Sequence, residues 1–131
     1  MGIATITASR KILVVDDESL IRLAAVTIVE DLGYEALEAD SAEEAIAILE
    51  RVPDIRVVLT DINMAGSMDG LQLVAYAHDR WPPLKFVVVS GAQRPPALGM
   101  PEDMRFFPKP YDSVEMSSIL QEIVEGGPAG P

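Results

Sequence analysis

Four short apolar runs in this chain each end on a side chain that can do chemistry. Asp16 and Asp17 follow Lys11–Val15, Asp61 follows Arg56–Thr60, Ser90 ends the run that begins at Lys85, and Lys109 follows Arg105–Pro108. Polar residues commonly finish strands, so each is unremarkable alone. Together they would bring three carboxylates, one hydroxyl and one ammonium to one rim. Two carboxylates about 5 Å apart repel by roughly 3 kcal/mol at an effective dielectric of 20, so three ionised ones cost on the order of 10 kcal/mol. A hard divalent cation with oxygen ligands relieves that repulsion, and Mg²⁺ typically takes one or two carboxylates plus waters and a phosphate. A cation and a lysine around an aspartate suit a phosphoryl group, whose transfer needs positioning and charge neutralisation. In that chemistry Asp61 is the nucleophile that forms an acyl phosphate, and Ser90 donates a hydrogen bond to a phosphoryl oxygen.

The convergence requires a particular order of elements. Lys11–Val15 is a compact β-branched run, as in a strand buried on both faces. From Ser19 to Leu32 the apolar positions Ile21, Ala24, Ala25, Ile28 and Leu32 fall at helical spacing, and Gly33 is a natural stop. A weak strand is expected at Glu35–Glu38. Ser41 and Glu44 read as a capping box opening a helix that buries Ala45, Ile46 and Leu49 and ends before Pro53. Arg56–Thr60 is the third strand, Leu71–Arg80 a helix, and Lys85–Val89 the fourth strand. Residues 94–104 are proline-rich and give no clear assignment. Arg105–Pro108 reads as a fifth strand, at a sheet edge because Pro108 cannot donate to a ladder. Asp112 and Glu115 open a last helix with Met116, Ile119, Leu120, Ile123 and Val124 on one face. The pattern is (βα)₅. It predicts an α/β, doubly wound parallel sheet in the order 2-1-3-4-5, with a fourth helix that is short or irregular. In such sheets ligands sit at the C-terminal ends of the strands.

The 131 residues allow one domain with a sizeable core. Their 21 acidic and 10 basic residues leave a net charge of −11. That sign argues against direct DNA binding or attachment to an anionic membrane. Eleven of the acids lie between Ile12 and Glu50, where Arg22 is the single basic residue. Most are expected on solvated helix faces. With no cysteine there is no disulfide and no cysteine zinc site. This fits a cytoplasmic protein, and the sequence contains no membrane-length apolar run.

Asp16-Asp17, Asp61, Ser90 and Lys109-Pro110, in this order and spacing, resemble the receiver domain of two-component response regulators. The likeness runs from about Lys11 to Val124, and Asp61-Ile-Asn-Met64 and Met68-Asp69-Gly70 add to it. The resemblance implies a flavodoxin-like fold and a phosphoacceptor signalling protein rather than a turnover enzyme, with only self-catalysed phosphotransfer and slow autodephosphorylation. By the same resemblance Asp61 receives a phosphoryl group from a histidine kinase or a histidine phosphotransfer protein. Asp17 and Asp61 would bind Mg²⁺ (or Mn²⁺) directly, Asp16 partly through water, and Asn63 through its main-chain carbonyl. Lys109 would pair with the phosphoryl group, with a cis bond before Pro110. Ser90 would move toward the phosphate and Phe106 rotate inward as the readout to an unknown downstream protein. The expected organisation is an N-terminal extension at 1–10, a receiver at 11–125 and a flexible Gly/Pro tail at 126–131. With no room for an output domain, it reads as a stand-alone receiver.

Three features depart from the family pattern. The loop Met64–Gly70 lacks the usual proline after the methionine and is one residue longer. The stretch from Ser90 to Lys109 is short and interrupted by Pro95, Pro96 and Pro101, which leaves the readout surface undefined. Phe106 replaces a commoner tyrosine, so it can report only by packing. His78 reads as a surface residue, Trp81 as a packing plug, and the methionines as core fillers. The apolar stretch Ala24–Val29 is either core or part of a kinase-docking face. Two other functions share the same residues: a phosphatase with an aspartyl-phosphate intermediate, and a receiver-like scaffold that carries no phosphate. Asp61 lacks an acid two residues on, against the first. The intact acidic pair, Asp61 and Lys109 argue against the second.

Overall fold

The computed structural model describes residues 10–91 and 99–126. The elements run β1 Lys11–Val15, α1 Ser19–Asp31, β2 Glu35–Ala39, α2 Ala42–Arg51, β3 Ile55–Asp61, α3 Gly70–Arg80, β4 Lys85–Ser90, β5 Arg105–Pro108 and α4 Ser113–Gln121, with no helix between β4 and β5 among the described residues. A π-helical turn at Glu122–Gly126 continues α4. All strand pairs are parallel, in the order β2-β1-β3-β4-β5, so Pro108 lies on an edge strand as its missing N–H demands.

Alternate residues of the central strands feed two apolar layers, because successive side chains of a strand point to opposite faces. Leu13, Val15, Val58, Phe86 and Val88 meet α2 and α3 through Ala45, Ile48, Leu49, Leu73 and Val74. Ile12, Val14, Val57, Leu59, Val87 and Val89 meet α1 and α4 through Ala25, Val29, Met116 and Leu120. Trp81 packs half-buried against the first layer, with the Arg80 guanidinium 5.3 Å from its ring centroid. His78 is exposed and lies edge-on to Phe86.

Several expectations need correction. On α1, Ala25 is buried as expected, and Ile28 and Leu32 pack half-buried against the core; Val26 and Val29, outside the expected set, are buried, and Ile21 and Ala24 are exposed. The apolar run there is wide enough to fit two stripes, and packing against β1 and α4 chose the one rotated by about one residue. Ala24–Val29 is therefore core in part. In α2, Ile48 takes the buried place expected of Ile46. Ser41 caps α2 by accepting from the Glu44 N–H, but Glu44 Oε1 accepts from the Asp40 N–H, so the box does not close. A complete capping box stands instead at Asp69 and Gln72 of α3. Gly33 ends α1 at φ +87°, a conformation that favours glycine.

Between β4 and β5, residues 99–104 form turns, with the Met104 N–H donating to the Pro101 carbonyl at 3.2 Å. Residues 94–98, the expected 1–9 part of the N-terminal extension, and 127–131 of the Gly/Pro tail lie outside the described residues. No helix among the described residues is long and apolar enough to cross a membrane.

Candidate functional site

Strand register carries the reactive residues to one rim. Val15 lies beside Ala39 and Thr60, Asp61 beside Val89, and Ser90 beside Pro108. Main-chain bonds continue past the strand ends: Asp16 N–H to Ala39 O at 3.1 Å, Ile62 N–H to Val89 O at 3.0 Å, and Lys109 N–H to Ser90 O at 2.9 Å. The Lys109–Pro110 peptide bond is cis.

Two carboxylates converge on one ammonium. Lys109 Nζ lies 2.9 Å from Asp61 Oδ2 and 3.9 Å from Asp16 Oδ2. Asp16 and Asp61 are only 4% and 5% exposed, so the pairing operates at reduced dielectric. The other Asp61 oxygen, Oδ1, accepts from the Asn63 N–H at 3.2 Å, and Asp16 Oδ1 accepts from the Glu18 N–H at 2.9 Å. Asp17 is not part of this convergence. It is exposed, and its Oδ2 accepts from the Ala65 N–H at 2.8 Å, in the loop between β3 and α3. That loop has a second tether, the Ser67 hydroxyl donating to Glu43 Oε2 at 2.5 Å. Ser90 is buried at the end of β4, Asn63 is exposed, and Phe106 is half-buried against the α2 and α3 layer.

Burial raises the Asp16 carboxyl above its ordinary value; the Glu18 N–H opposes this, and the Asp61 charge adds to the rise. Burial works against the Lys109 ammonium, but the hydrogen bond and charge of Asp61, with Asp16 and Glu18, outweigh it and lift Lys109 above its usual range. The rim thus holds more negative charge than Lys109 balances. This has a measurable consequence. Because the folded Asp16 titrates above its unfolded value, its ionised form destabilises the fold at neutral pH. Asp16→Asn keeps an oxygen for the Glu18 N–H and removes that charge. In chelator-treated buffer it is expected to stabilise the protein near neutral pH. The gain shrinks as pH falls through the folded Asp16 value and vanishes below the unfolded one. Thermal melts of both proteins from mildly alkaline to acidic pH measure it; a difference that does not change with pH would refute the electrostatic cause.

A cation can be tested against the same oxygens. Asp16, Asp17, Asp61 and the Asn63 carbonyl are hard donors of the type Mg²⁺ uses, and the surplus negative charge favours a divalent ion. They are not pre-assembled: among the described residues no three acidic or histidine side chains form a ready metal cluster. Asp17 has one carboxylate oxygen, Oδ2, engaged by the Ala65 N–H.

Two residues to which the sequence assigned no site role also reach the site, Arg22 and Gly70. Arg22 Nη1 donates to the Asp16 carbonyl at 2.8 Å, and Arg22 Nε lies 2.9 Å from Glu38 Oε1. The available signal was the isolation of Arg22 in an acidic stretch. Gly70 is the second of them. Its N–H donates to the Ile62 carbonyl at 2.9 Å, and a Cβ there would collide with the Asp61 carbonyl oxygen.

The fold and the sequence have known relatives. The response regulator receiver domain family model matches residues 12–121. The sensor kinase CckA of Brucella abortus (strain 2308) is 32% identical over 124 residues, covering 92% of this chain and 13% of the kinase. The chain therefore spans only a small part of that relative. Among solved structures, a CheY-like receiver domain protein from Methanospirillum hungatei JF-1 is similar at TM-score 0.78 and 26% identity, covering 90% of this chain and 95% of that one. A receiver protein from Sinorhizobium medicae WSM419 is similar at TM-score 0.81 and 25% identity, covering 88% and 94%. On its sequence, its 2-1-3-4-5 sheet and these likenesses, the chain belongs to the response regulator receiver domain family of two-component systems.

Proposed function

We propose that Asp61 accepts a phosphoryl group from a phosphohistidine of a histidine kinase or phosphotransfer protein and passes the resulting state to a protein partner. The observation that carries this is the Lys109 ammonium 2.9 Å from a buried Asp61 carboxylate at the strand ends. An Asp61 oxygen attacks phosphorus, the P–N bond breaks, and its electron pair leaves on the imidazole, which takes up a proton. Lys109 and the Ser90 hydroxyl then serve the added phosphoryl oxygens, and burial limits the water that hydrolyses the acyl phosphate. Asp17, Asp61 and the Asn63 carbonyl, with Asp16 through water, would hold Mg²⁺ or Mn²⁺, which supplies charge neutralisation at the phosphoryl oxygens when bound.

Two further features support the reading. Leu20, Ile21 and Leu23 are exposed on α1 directly after the acidic turn, a face on which an apolar donor helix can pack. The Ser90 carbonyl holds the Lys109 N–H, so movement at the end of β4 reaches β5 and Phe106. Phe106, lacking a hydroxyl, reports by packing.

The test is incubation with Mg²⁺ and acetyl phosphate followed by intact mass. Wild type is expected to gain one phosphoryl group and Asp61→Asn none. A wild type that gains none, or a variant that gains as much, refutes the assignment. Sustained release of phosphate from phosphate monoesters would point to a phosphatase instead.

A further inference from the structure

We infer that Arg22 is a positioning residue for the acidic turn, holding the peptide unit that joins Asp16 to Asp17 in the orientation the phosphoacceptor site needs. The inference rests on the phosphoacceptor reading and extends it to residues outside the strand-end set. Arg22 sits one turn into α1, and its side chain is 19% exposed. Its Nη1 donates to the Asp16 carbonyl at 2.8 Å, and its Nε is 2.9 Å from Glu38 on β2. A peptide unit is planar, so fixing the Asp16 carbonyl also fixes the Asp17 nitrogen and Cα. On its other side the Asp16 N–H is held by the Ala39 carbonyl at 3.1 Å, again from β2. The turn is thus clamped to β2 twice, once by main chain and once through the Arg22–Glu38 pair. The guanidinium uses two separate donors of its fork, one on a carbonyl and one on a carboxylate, which an ammonium cannot reproduce with the same geometry. The second strand, which brings no reactive group to the rim, acts on the site through Glu38.

A positioning role and a merely electrostatic one predict opposite results. Removing a positive charge beside an acidic site tightens cation binding, whereas releasing the turn weakens it. The experiment is a Mg²⁺ titration of ¹⁵N-labelled full chain, read from backbone amide shifts at residues 16–18 and 61–63, so that it does not depend on phosphorylation. Arg22→Lys keeps the charge and Arg22→Met removes it. Both are expected to raise the half-saturating Mg²⁺ concentration by about tenfold, the usual size of an effect on residues that orient metal ligands. Glu38→Ala is expected to raise it less, and to add little in the Arg22→Lys background, because both act through one fork. The same spectra report whether each variant is folded; if the Arg22 variants are not, Glu38→Ala alone decides, and a wild-type value for it overturns the inference. Tighter binding in Arg22→Met, wild-type binding in Arg22→Lys, or additive effects also overturn it. A wild type that shows saturable shifts at the rim while all variants match it defeats the inference alone. A wild type with no such shifts removes the cation from the phosphoacceptor reading and takes the inference with it.

Discussion

Lys109→Met is expected to slow phosphoryl acceptance from acetyl phosphate by about a hundredfold or more, the scale found when one preorganised charged or hydrogen-bonding group is removed from a developing anion. The ammonium is the charge 2.9 Å from Asp61 and 3.9 Å from Asp16, and methionine keeps the stem's bulk without it. The same change leaves two buried carboxylates facing each other. It is expected to lower stability near neutral pH by about 2 kcal/mol, less than for a fully buried pair because the Lys109 side chain is 22% exposed. The pH dependence identifies the cause. Lys109 has a folded value raised above its unfolded one, so its contribution in wild type is present through neutral pH and lost only as pH climbs through the folded value. In the variant the deficit narrows on acidification, as Asp16, already raised by burial, takes a proton. Rates and denaturant melts across pH check both halves. A variant that accepts phosphate at the wild-type rate would remove Lys109 from the mechanism.

Gly70→Ala is expected to cost about 3 kcal/mol of stability, at the upper end for overpacking, because what its methyl meets is main chain. A Cβ at position 70 would overlap the Asp61 carbonyl oxygen and lie 2.8 Å from Ile62 Cα and 2.9 Å from the Asp61 carbonyl carbon. Those atoms belong to the end of β3, which is hydrogen-bonded to β4 and has no side-chain slack to give. The displaced peptide is that of the phosphoacceptor itself, so acceptance should fall together with stability. Gly91→Ala is the control, since no atom of the described residues lies within 4 Å of where its Cβ would stand and its φ is not in the left-handed region. Equilibrium unfolding of the two variants separates the local collision from a general effect of alanine. Equal, small losses in both would contradict the packing argument.

The strand ends were legible because a buried parallel strand announces itself as a β-branched run, and the residue after the run must emerge at the rim. Asp16, Asp61 and Lys109 are found that way. Pro108 located the edge by a missing donor. What was not legible depends on where side chains turn after the backbone is set. Asp17 is adjacent to Asp16 in sequence, yet it points to Ala65 rather than Lys109. The Arg22–Glu38 and Glu43–Ser67 contacts join elements separated in sequence, and no local rule pairs them. The face of α1 was ambiguous for a related reason: Leu20, Ile21 and Leu23 are as apolar as the residues that are buried, and tertiary packing decided between them. The Asp69–Gln72 box did carry a readable signal, an Asp three residues before a Gln at the head of an apolar run.

The most direct test of the central claim locates the phosphoryl group rather than counting it. An acyl phosphate is reduced by borohydride at the carboxyl carbon, which converts a phosphorylated aspartate to homoserine and leaves a serine phosphate untouched. Wild-type protein treated with Mg²⁺ and acetyl phosphate, reduced, digested and sequenced by mass spectrometry should carry homoserine at position 61 and at no other aspartate. Homoserine at position 16 or 17, or a phosphate that survives reduction on Ser90, would contradict the account.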